Sequence, residues 1–357
     1  CANTLSWAAD EARHLEGETI AFDAVAGSEN RIGYYYRFPI GVILAITPFN
    51  DPLNLVAHKL GPAIAAGNSV VLKPATVTPL SALKLAEAFL EAGLPPEALN
   101  GITGHGSEIG DVLVSDPRVR MVSFTGGPEA GDSVAAKAGI KKIGMELGSN
   151  SPVIVMADAN QKLAVESCVS GAFWAAGQNC IGVQRIYIHR EVYEQFRDDF
   201  VARTKSYTIG DKMDENTDMG PMITEAEAER VERWVAEAVE LGATVLTGGG
   251  RTGALMEPTV LENVPENATI HHDEVFGPAV NLYPIDTLDE AIAKANSVDF
   301  GLHSAGFSND LTICHRMAEG LDSGSVIIND STDYRLDSMP FGGVKSSGPG
   351  KEGTRFS

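Results

Sequence analysis

Gly41-Val42-Ile43-Leu44-Ala45-Ile46, followed by a helical pattern over 53–66 and then by Ser69-Val70-Val71-Leu72-Lys73, decides the fold class of this chain. Two short β-rich apolar runs on either side of a longer helical run spell one β-α-β unit. The alternation continues outward. A Leu- and Ala-rich helix is expected over 79–92 and another over 107–115, then a strand at 119–124, a helix at 129–138 and a strand at 141–145. Such an order implies a parallel, doubly wound sheet that binds ligands beyond the carboxyl ends of its strands.

A second series follows residue 151. Strands are expected at 152–156, 185–189, 279–283 and 325–329, with helices at 160–175, 191–205, 225–241, 288–296 and 311–319. This reads as a second α/β domain. Residues 21–37, with Tyr34, Tyr35 and Tyr36 in a row, alternate differently and predict an extended hairpin outside both sheets.

Composition bounds the function. The 357 residues are enough for two domains, and 44% hydrophobic content is enough for their cores. A net charge of -21, with 48 acidic against 27 basic residues, disfavours nucleic acid and anionic membranes as partners. The longest apolar runs are too short to span a bilayer, and Cys1-Ala2-Asn3 lacks the pattern of a signal peptide. A cytoplasmic protein is the expectation. Cys1, Cys168, Cys180 and Cys314 form no CxxC pair and no zinc spacing, so neither a disulfide framework nor a structural metal is expected.

Chemistry concentrates in a few turns. Cys180, in Gly177-Gln178-Asn179-Cys180, is a thiol suited to nucleophilic attack, and Glu146, in Met145-Glu146-Leu147-Gly148-Ser149-Asn150, is a carboxyl base upstream of it. Taken alone, such a cysteine more often fills a core and such a glutamate more often sits in a solvated turn. Gly104-His105-Gly106-Ser107-Glu108-Ile109-Gly110 misses the dinucleotide spacing G-x-G-x-x-G by one residue. Phe124-Thr125-Gly126-Gly127-Pro128 runs from a strand into a helix, where backbone N–H groups can hold a pyrophosphate. Lys73-Pro74-Ala75-Thr76 also ends a strand. Three such turns on the ligand side of one sheet make a dinucleotide the leading ligand.

Taken in order, Thr47-Pro48-Phe49-Asn50, Lys73-Pro74-Ala75, Phe124-Thr125-Gly126-Gly127, Glu146-Leu147-Gly148, Gly177-Gln178-Asn179-Cys180, Glu274-Val275-Phe276-Gly277-Pro278 and Pro340-Phe341-Gly342-Gly343-Val344-Lys345 resemble the aldehyde dehydrogenase superfamily across essentially the whole chain. The resemblance implies an aldehyde-dehydrogenase-like α/β fold. A Rossmann-like cofactor domain would comprise 1–18 and 40–148 with its beginning missing, an oligomerisation hairpin 19–39, a catalytic domain 149–346 and a shortened C-terminal segment 347–357. The chain would be cut at both ends and would assemble as a homodimer or homotetramer.

The resemblance also implies roles. Cys180 would attack the aldehyde, with Asn50 and the Cys180 N–H as oxyanion donors, and Glu146 would activate water against the resulting thioester. NAD, with NADP possible because Thr76 carries no charge, would contact Ile46, Thr47, Pro48, Lys73, Ala75, Thr76, Gly106, Phe124, Thr125, Gly126, Gly127, Leu147, Glu274 and Phe276. Asn50 alternatively caps a helix beginning near Pro52, and Glu274 is alternatively a surface acid. Passing the thioester to coenzyme A is disfavoured by Glu146, and a non-catalytic dinucleotide-binding relic is the reading from another class.

Substrate residues implied by the resemblance are Asp51, Asn54, Leu55, His58, Trp174, Ile181, Tyr334, Arg335 and Phe341. Gly148-Ser149-Asn150, where the family commonly has Gly-Gly-Lys, resembles the lactaldehyde and phosphonoacetaldehyde branch. The region around Asp337 and Met339-Pro340-Phe341 is similar to benzaldehyde, vanillin and salicylaldehyde dehydrogenases. Arg335 would pair with an anionic or hydroxyl group, or salt-bridge Asp333 or Asp337; Trp174, Tyr334 and Phe341 would sandwich an aromatic ring. A compact aldehyde with a polar or aromatic group satisfies both.

Overall fold

The alternating apolar runs form two large sheets, each in its own part of the chain. In a computed structural model describing residues 1–357, one compact unit comprises Cys1–Met145, Leu336–Pro340 and Gly350–Ser357. The other comprises Glu146–Arg335 and Phe341–Pro349.

In the first unit five strands lie in the order Leu99–Gly101, Ser69–Lys73, Val42–Ile46, Val119–Thr125, Lys142–Glu146. Val42–Ile46 pairs in parallel with both of its neighbours. Leu44, Ala45, Val70 and Leu72 are almost wholly removed from water, and Val56, Ala57 and Leu60 of the helix Asn54–Ala65 close one face over Ile43, Ala45 and Leu72. Each such Leu or Val contributes roughly 1.5–3 kcal/mol of burial. The chain steps one way from Val42–Ile46 to Leu99–Gly101 and then returns to the other side at Val119–Thr125. That reversal leaves a crevice where the carboxyl ends of Val42–Ile46 and Val119–Thr125 meet.

Helix Ala2–Glu11 packs on Asn54–Ala65, where Gly61 permits the approach: a Cβ there would lie 3.1 Å from the Ala8 side chain and 3.3 Å from that of Leu5. Glu18–Ile20 and Gly33–Tyr35 pair antiparallel as a two-stranded sheet apart from the five-stranded one.

The second unit holds seven strands in the order Thr244–Thr247, Thr259–Glu262, Ala279–Ile285, Val183–His189, Ser151–Val155, His303–Phe307, Ser325–Ile328. Only the edge strand Thr244–Thr247 is antiparallel to its neighbour. His303–Phe307 lies inside this sheet with all five residues buried, although no strand is predicted there. His-Ser-Ala-Gly-Phe has no β-branched residue, and its place is set by contacts. A Cβ on Gly306 would fall 2.3 Å from the Met317 sulfur. The helix expected over 160–175 stops at Phe173 and gives way to a tight turn, Trp174–Gly177.

Two tail segments depart from the expected domain limits. Leu336–Pro340 and Gly350–Ser357 pack with the first unit rather than with a catalytic domain 149–346 or a separate end 347–357. The reason is polar pairing. Asp337 lies 3.1 Å from His58, Glu352 lies 3.2 Å from Lys59, and the Gly350 N–H donates to Met145 O at 3.0 Å. No helix is long and apolar enough to cross a membrane.

Candidate active site

In the first unit the predicted cofactor residues gather at three neighbouring strand ends. Ile46 pairs with Lys73 on one side and with Phe124 on the other, and the Thr47 N–H donates to Lys73 O at 3.2 Å. Thr47 and Lys73 are buried, whereas Pro48 and Asn50 are half-buried. The Lys73 ammonium donates to Pro74 O at 3.2 Å, and burial holds its pKa below the usual lysine range. Beside it, Ala75 is half-buried, and Thr76 is exposed with its hydroxyl donating to Gly104 O at 3.3 Å. Gly106 opens the helix Gly106–Ser115.

Gly127 precedes the 11-residue helix Pro128–Ala138, and a Cβ on it would meet nothing within 4 Å. The Thr125 hydroxyl just before it is buried without a hydrogen-bond partner. An open backbone at a helix N-terminus beside an orphaned hydroxyl is what a phosphate-bearing nucleotide satisfies. The residues present therefore fit the dinucleotide that the motifs imply. Asn50 does not cap the neighbouring helix: Asn54–Ala65 starts after Leu53, with no side-chain cap.

In the second unit the site is built at the opposite kind of edge. Ser149, Cys180 and Glu274 sit just ahead of Ser151–Val155, Val183–His189 and Ala279–Ile285, three adjacent parallel strands, so their leading ends come together. Glu146 is 3% exposed. The turn after it is held by Ser347, whose carbonyl accepts the Leu147 N–H at 3.0 Å and whose hydroxyl donates to Gly148 O at 2.7 Å. Glu274 accepts the Ser149 N–H at 2.7 Å, and a Cβ on Gly148 would lie 2.4 Å from its other oxygen. The residue is part-exposed, but its carboxyl end is enclosed by the protein. Burial pushes it up to about 8, against the lowering effects of the Ser149 N–H and Arg230.

Cys180 follows a left-handed turn formed by Ala175 (φ 52°), Ala176 (φ 54°) and Gly177 (φ 68°). Gly177 is irreplaceable there, because a Cβ would fall 2.1 Å from Gly277 O. Gln178 accepts the Ile223 N–H at 2.8 Å and Asn179 accepts the Ile181 N–H at 3.2 Å, which braces the loop on both sides of the thiol. Cys180 is part-exposed, with its sulfur 4.0 Å from Asn179 Oδ1. Cys168, by contrast, is fully buried, and burial and Asp333 push its thiol far up, which leaves it inert.

The predicted substrate residues divide between the units. In the first, Asp51 is exposed at φ 43° and Leu55 is buried. Buried His58 points at Asp337, and the Thr4 hydroxyl lies 2.6 Å from Asn54 Oδ1 and 2.9 Å from Asp337 Oδ2. Burial raises the Asp337 pKa, but Thr4, His58 and Asn54 together hold it below the usual carboxylate range.

In the second unit Trp174 and Tyr334 are 52% and 45% exposed, whereas Phe341 is 2% exposed and packs with Ile181, Leu302 and Cys180. The Arg335 guanidinium covers the Phe341 ring at 3.7 Å from the ring centre, and His303 tilts against it at 5.0 Å. Phe276 is half-buried with φ 43°, beside Glu274, and Leu147 is buried beside Glu146.

Comparison with known proteins agrees with this fold. The model of the aldehyde dehydrogenase family matches residues 1–357. This chain belongs to that family. Aspartate-semialdehyde dehydrogenase 1 of Pseudomonas canavaninivorans is 52% identical over 356 residues, which are 100% of this chain and 76% of that protein. The 3-sulfolactaldehyde dehydrogenase of Priestia aryabhattai is 49% identical, over 99% of this chain and 74% of the relative. Among solved structures, glyceraldehyde-3-phosphate dehydrogenase GapN of Methanocaldococcus jannaschii, complexed with NADP, superposes with a TM-score of 0.94 at 40% identity, covering 99% of this chain and 77% of that one.

As a family member the chain carries further polar residues around Glu274 that sequence reasoning passed over. Gln184, Asn150 and Arg185 are 5%, 1% and 0% exposed. The available signal was Gln184-Arg185, two polar residues in succession inside an apolar central strand.

Proposed function

We infer that this aldehyde dehydrogenase oxidises a compact aldehyde bearing an anionic group to the carboxylic acid, with NAD(P)+ as acceptor and Cys180 as nucleophile. The observation that carries the reading is the convergence of Cys180, Glu274 and the turn after Glu146 at the leading ends of adjacent strands. The Cys180 thiolate adds to the carbonyl carbon, and its own N–H stabilises the oxyanion. Asn50 is the second donor on the strength of its motif. When bound, NAD(P)+ accepts the hydride that leaves this carbon, so the thiohemiacetal becomes a thioester. Glu146 takes a proton from water, the water oxygen attacks the thioester, and the Cys180 thiolate leaves as the acid is released.

Glu274 holds the nicotinamide ribose with Phe276 packed beside it. Lys73 holds the adenosine ribose, and Thr125, Gly126 and Gly127 receive the pyrophosphate. Uncharged Thr76 tolerates either cofactor, with NAD as the first choice.

For the substrate, the Arg335 cation stacked on Phe341, whose ring also packs by Ile181 and Cys180, supports an anionic group a few bonds from the aldehyde. Aspartate semialdehyde, sulfolactaldehyde and glyceraldehyde 3-phosphate, named for the relatives, all carry such a group. The hairpin Glu18–Ile20 and Gly33–Tyr35, flanked by exposed Ile32, Tyr36 and Phe38, supports assembly as a homodimer or homotetramer.

An aldehyde panel followed by NAD(P)H absorbance tests the function. Succinic, aspartic and sulfonated aldehydes are expected to exceed lactaldehyde, benzaldehyde and salicylaldehyde in kcat/KM, with Cys180→Ala silent throughout. Activity persisting in Cys180→Ala would overturn the mechanism, and preference for a neutral aldehyde would overturn the substrate class.

A further inference from the structure

Glu274 lies in a loop that has little regular structure of its own, between the short helix Thr269–His272 and the strand Ala279–Ile285. Its backbone is nevertheless tied on both sides by one buried side chain. The Gln184 amide donates to Asp273 O at 2.7 Å and accepts the Val275 N–H at 3.0 Å, so it brackets Glu274 as a paired strand would. A second bond, at 3.3 Å, reaches Ile270 O.

Asn150 reinforces the bracket by donating to Asp273 O at 3.2 Å and His271 O at 2.8 Å. Asn150 is itself held by Arg185, whose guanidinium donates to Asn150 Oδ1 at 2.7 Å and Asn150 O at 2.9 Å, and to the last carbonyls of the helix Leu288–Ala295 at 3.1 Å. Burying an amide and a cation in strand Val183–His189 is costly unless each is fully bonded. The Gln184 and Asn150 bonds converge on the Glu274 loop, and the Arg185 bonds to Asn150 hold the turn through Ser149, whose N–H meets the Glu274 carboxylate.

We propose that Gln184, backed by Asn150, is a positioning residue that sets NAD(P) affinity by fixing the Glu274 carboxylate. The inference rests on the reading of Glu274 as the ribose acceptor. Gln184→Met removes both bracket bonds at similar volume. NADH and NADPH binding by fluorescence titration is expected to weaken at least tenfold in it, whereas the KM of the aldehyde at saturating cofactor and the rate of Cys180 alkylation stay within about twofold.

Glu274→Gln and the double variant complete a cycle. The double variant is expected to bind cofactor no more weakly than Glu274→Gln alone. Unchanged affinity in Glu274→Gln would overturn the ribose reading. Weakened affinity there, combined with normal affinity in Gln184→Met or with independent losses in the double variant, would overturn the positioning role alone. Should Gln184→Met not fold, Asn150→Asp carries the test: it keeps an acceptor for Arg185, loses the donors to Asp273 and His271, and is expected to weaken cofactor binding while aldehyde KM holds. Equal loss of both would refute the role.

Discussion

The buried carboxyl of Glu274 makes cofactor affinity depend on pH, in a direction the structure dictates. With burial pushing its pKa to about 8, Glu274 is mostly neutral at pH 6 in the free protein. Ribose hydroxyls donate, so they favour the ionised, acceptor-only form. The bound state therefore has the lower pKa, and binding releases a proton. Only about 1% of the free protein is ionised at pH 6 and about half at pH 8, so apparent affinity rises roughly 50-fold across that interval if binding requires the carboxylate. Calorimetric titration with NAD(P) at pH 6 and 7, in two buffers of different ionisation heat, is expected to report close to one proton released. Glu274→Gln is expected to abolish both the release and the slope. Affinity that is flat between pH 6 and 8, or a slope that survives in the variant, would refute the argument. The same shift acts on folding. A carboxyl raised from 4.5 binds more protons folded than unfolded, so its favourable contribution is full below pH 4.5 and is lost as pH climbs through about 8.

Arg335→Leu is expected to lower kcat/KM for an anionic aldehyde about 10- to 100-fold, the loss of one charge-assisted contact, and to leave a neutral aldehyde of similar size within a few-fold. Equal losses for both would remove Arg335 from substrate recognition. Glu146→Gln should keep a burst of NAD(P)H in stopped flow while steady turnover drops about 10²-fold or more; loss of the burst as well would place Glu146 earlier in the cycle. In Gly148→Ala a Cβ would fall 2.4 Å from the Glu274 carboxylate, and cofactor affinity should fall about tenfold with little change in aldehyde KM. Gly177→Ala combines a left-handed φ, worth about 1–2 kcal/mol, with overlap on Gly277 O, and should both lower Tm and slow Cys180 alkylation. An unchanged alkylation rate would show that the turn does not aim the thiol.

What was legible before the structure was local, and what was not depended on pairing over distance. The run from Gly41 to Lys73 declares its strands by composition, and the motifs around Cys180, Glu146 and Glu274 declare themselves by order along the chain. Nothing in His303–Phe307 announces an interior strand, because its stability comes from Val153 to Val155 on one side and Ser325 to Ile328 on the other. Nor does the run from Asp333 to Phe341 announce that Asp337 pairs with His58, 279 residues earlier, while Arg335 stacks on Phe341. Yet one distant pairing left a trace that physical reasoning can use. Gln184 and Arg185 interrupt an otherwise apolar central strand, and a buried amide beside a buried cation is tolerated only where partners await them. The partners prove to be Asn150 and the backbone around Glu274. A polar pair set in a strand buried on both faces is therefore a sign, readable in advance, that a neighbouring loop without structure of its own is being held for a purpose.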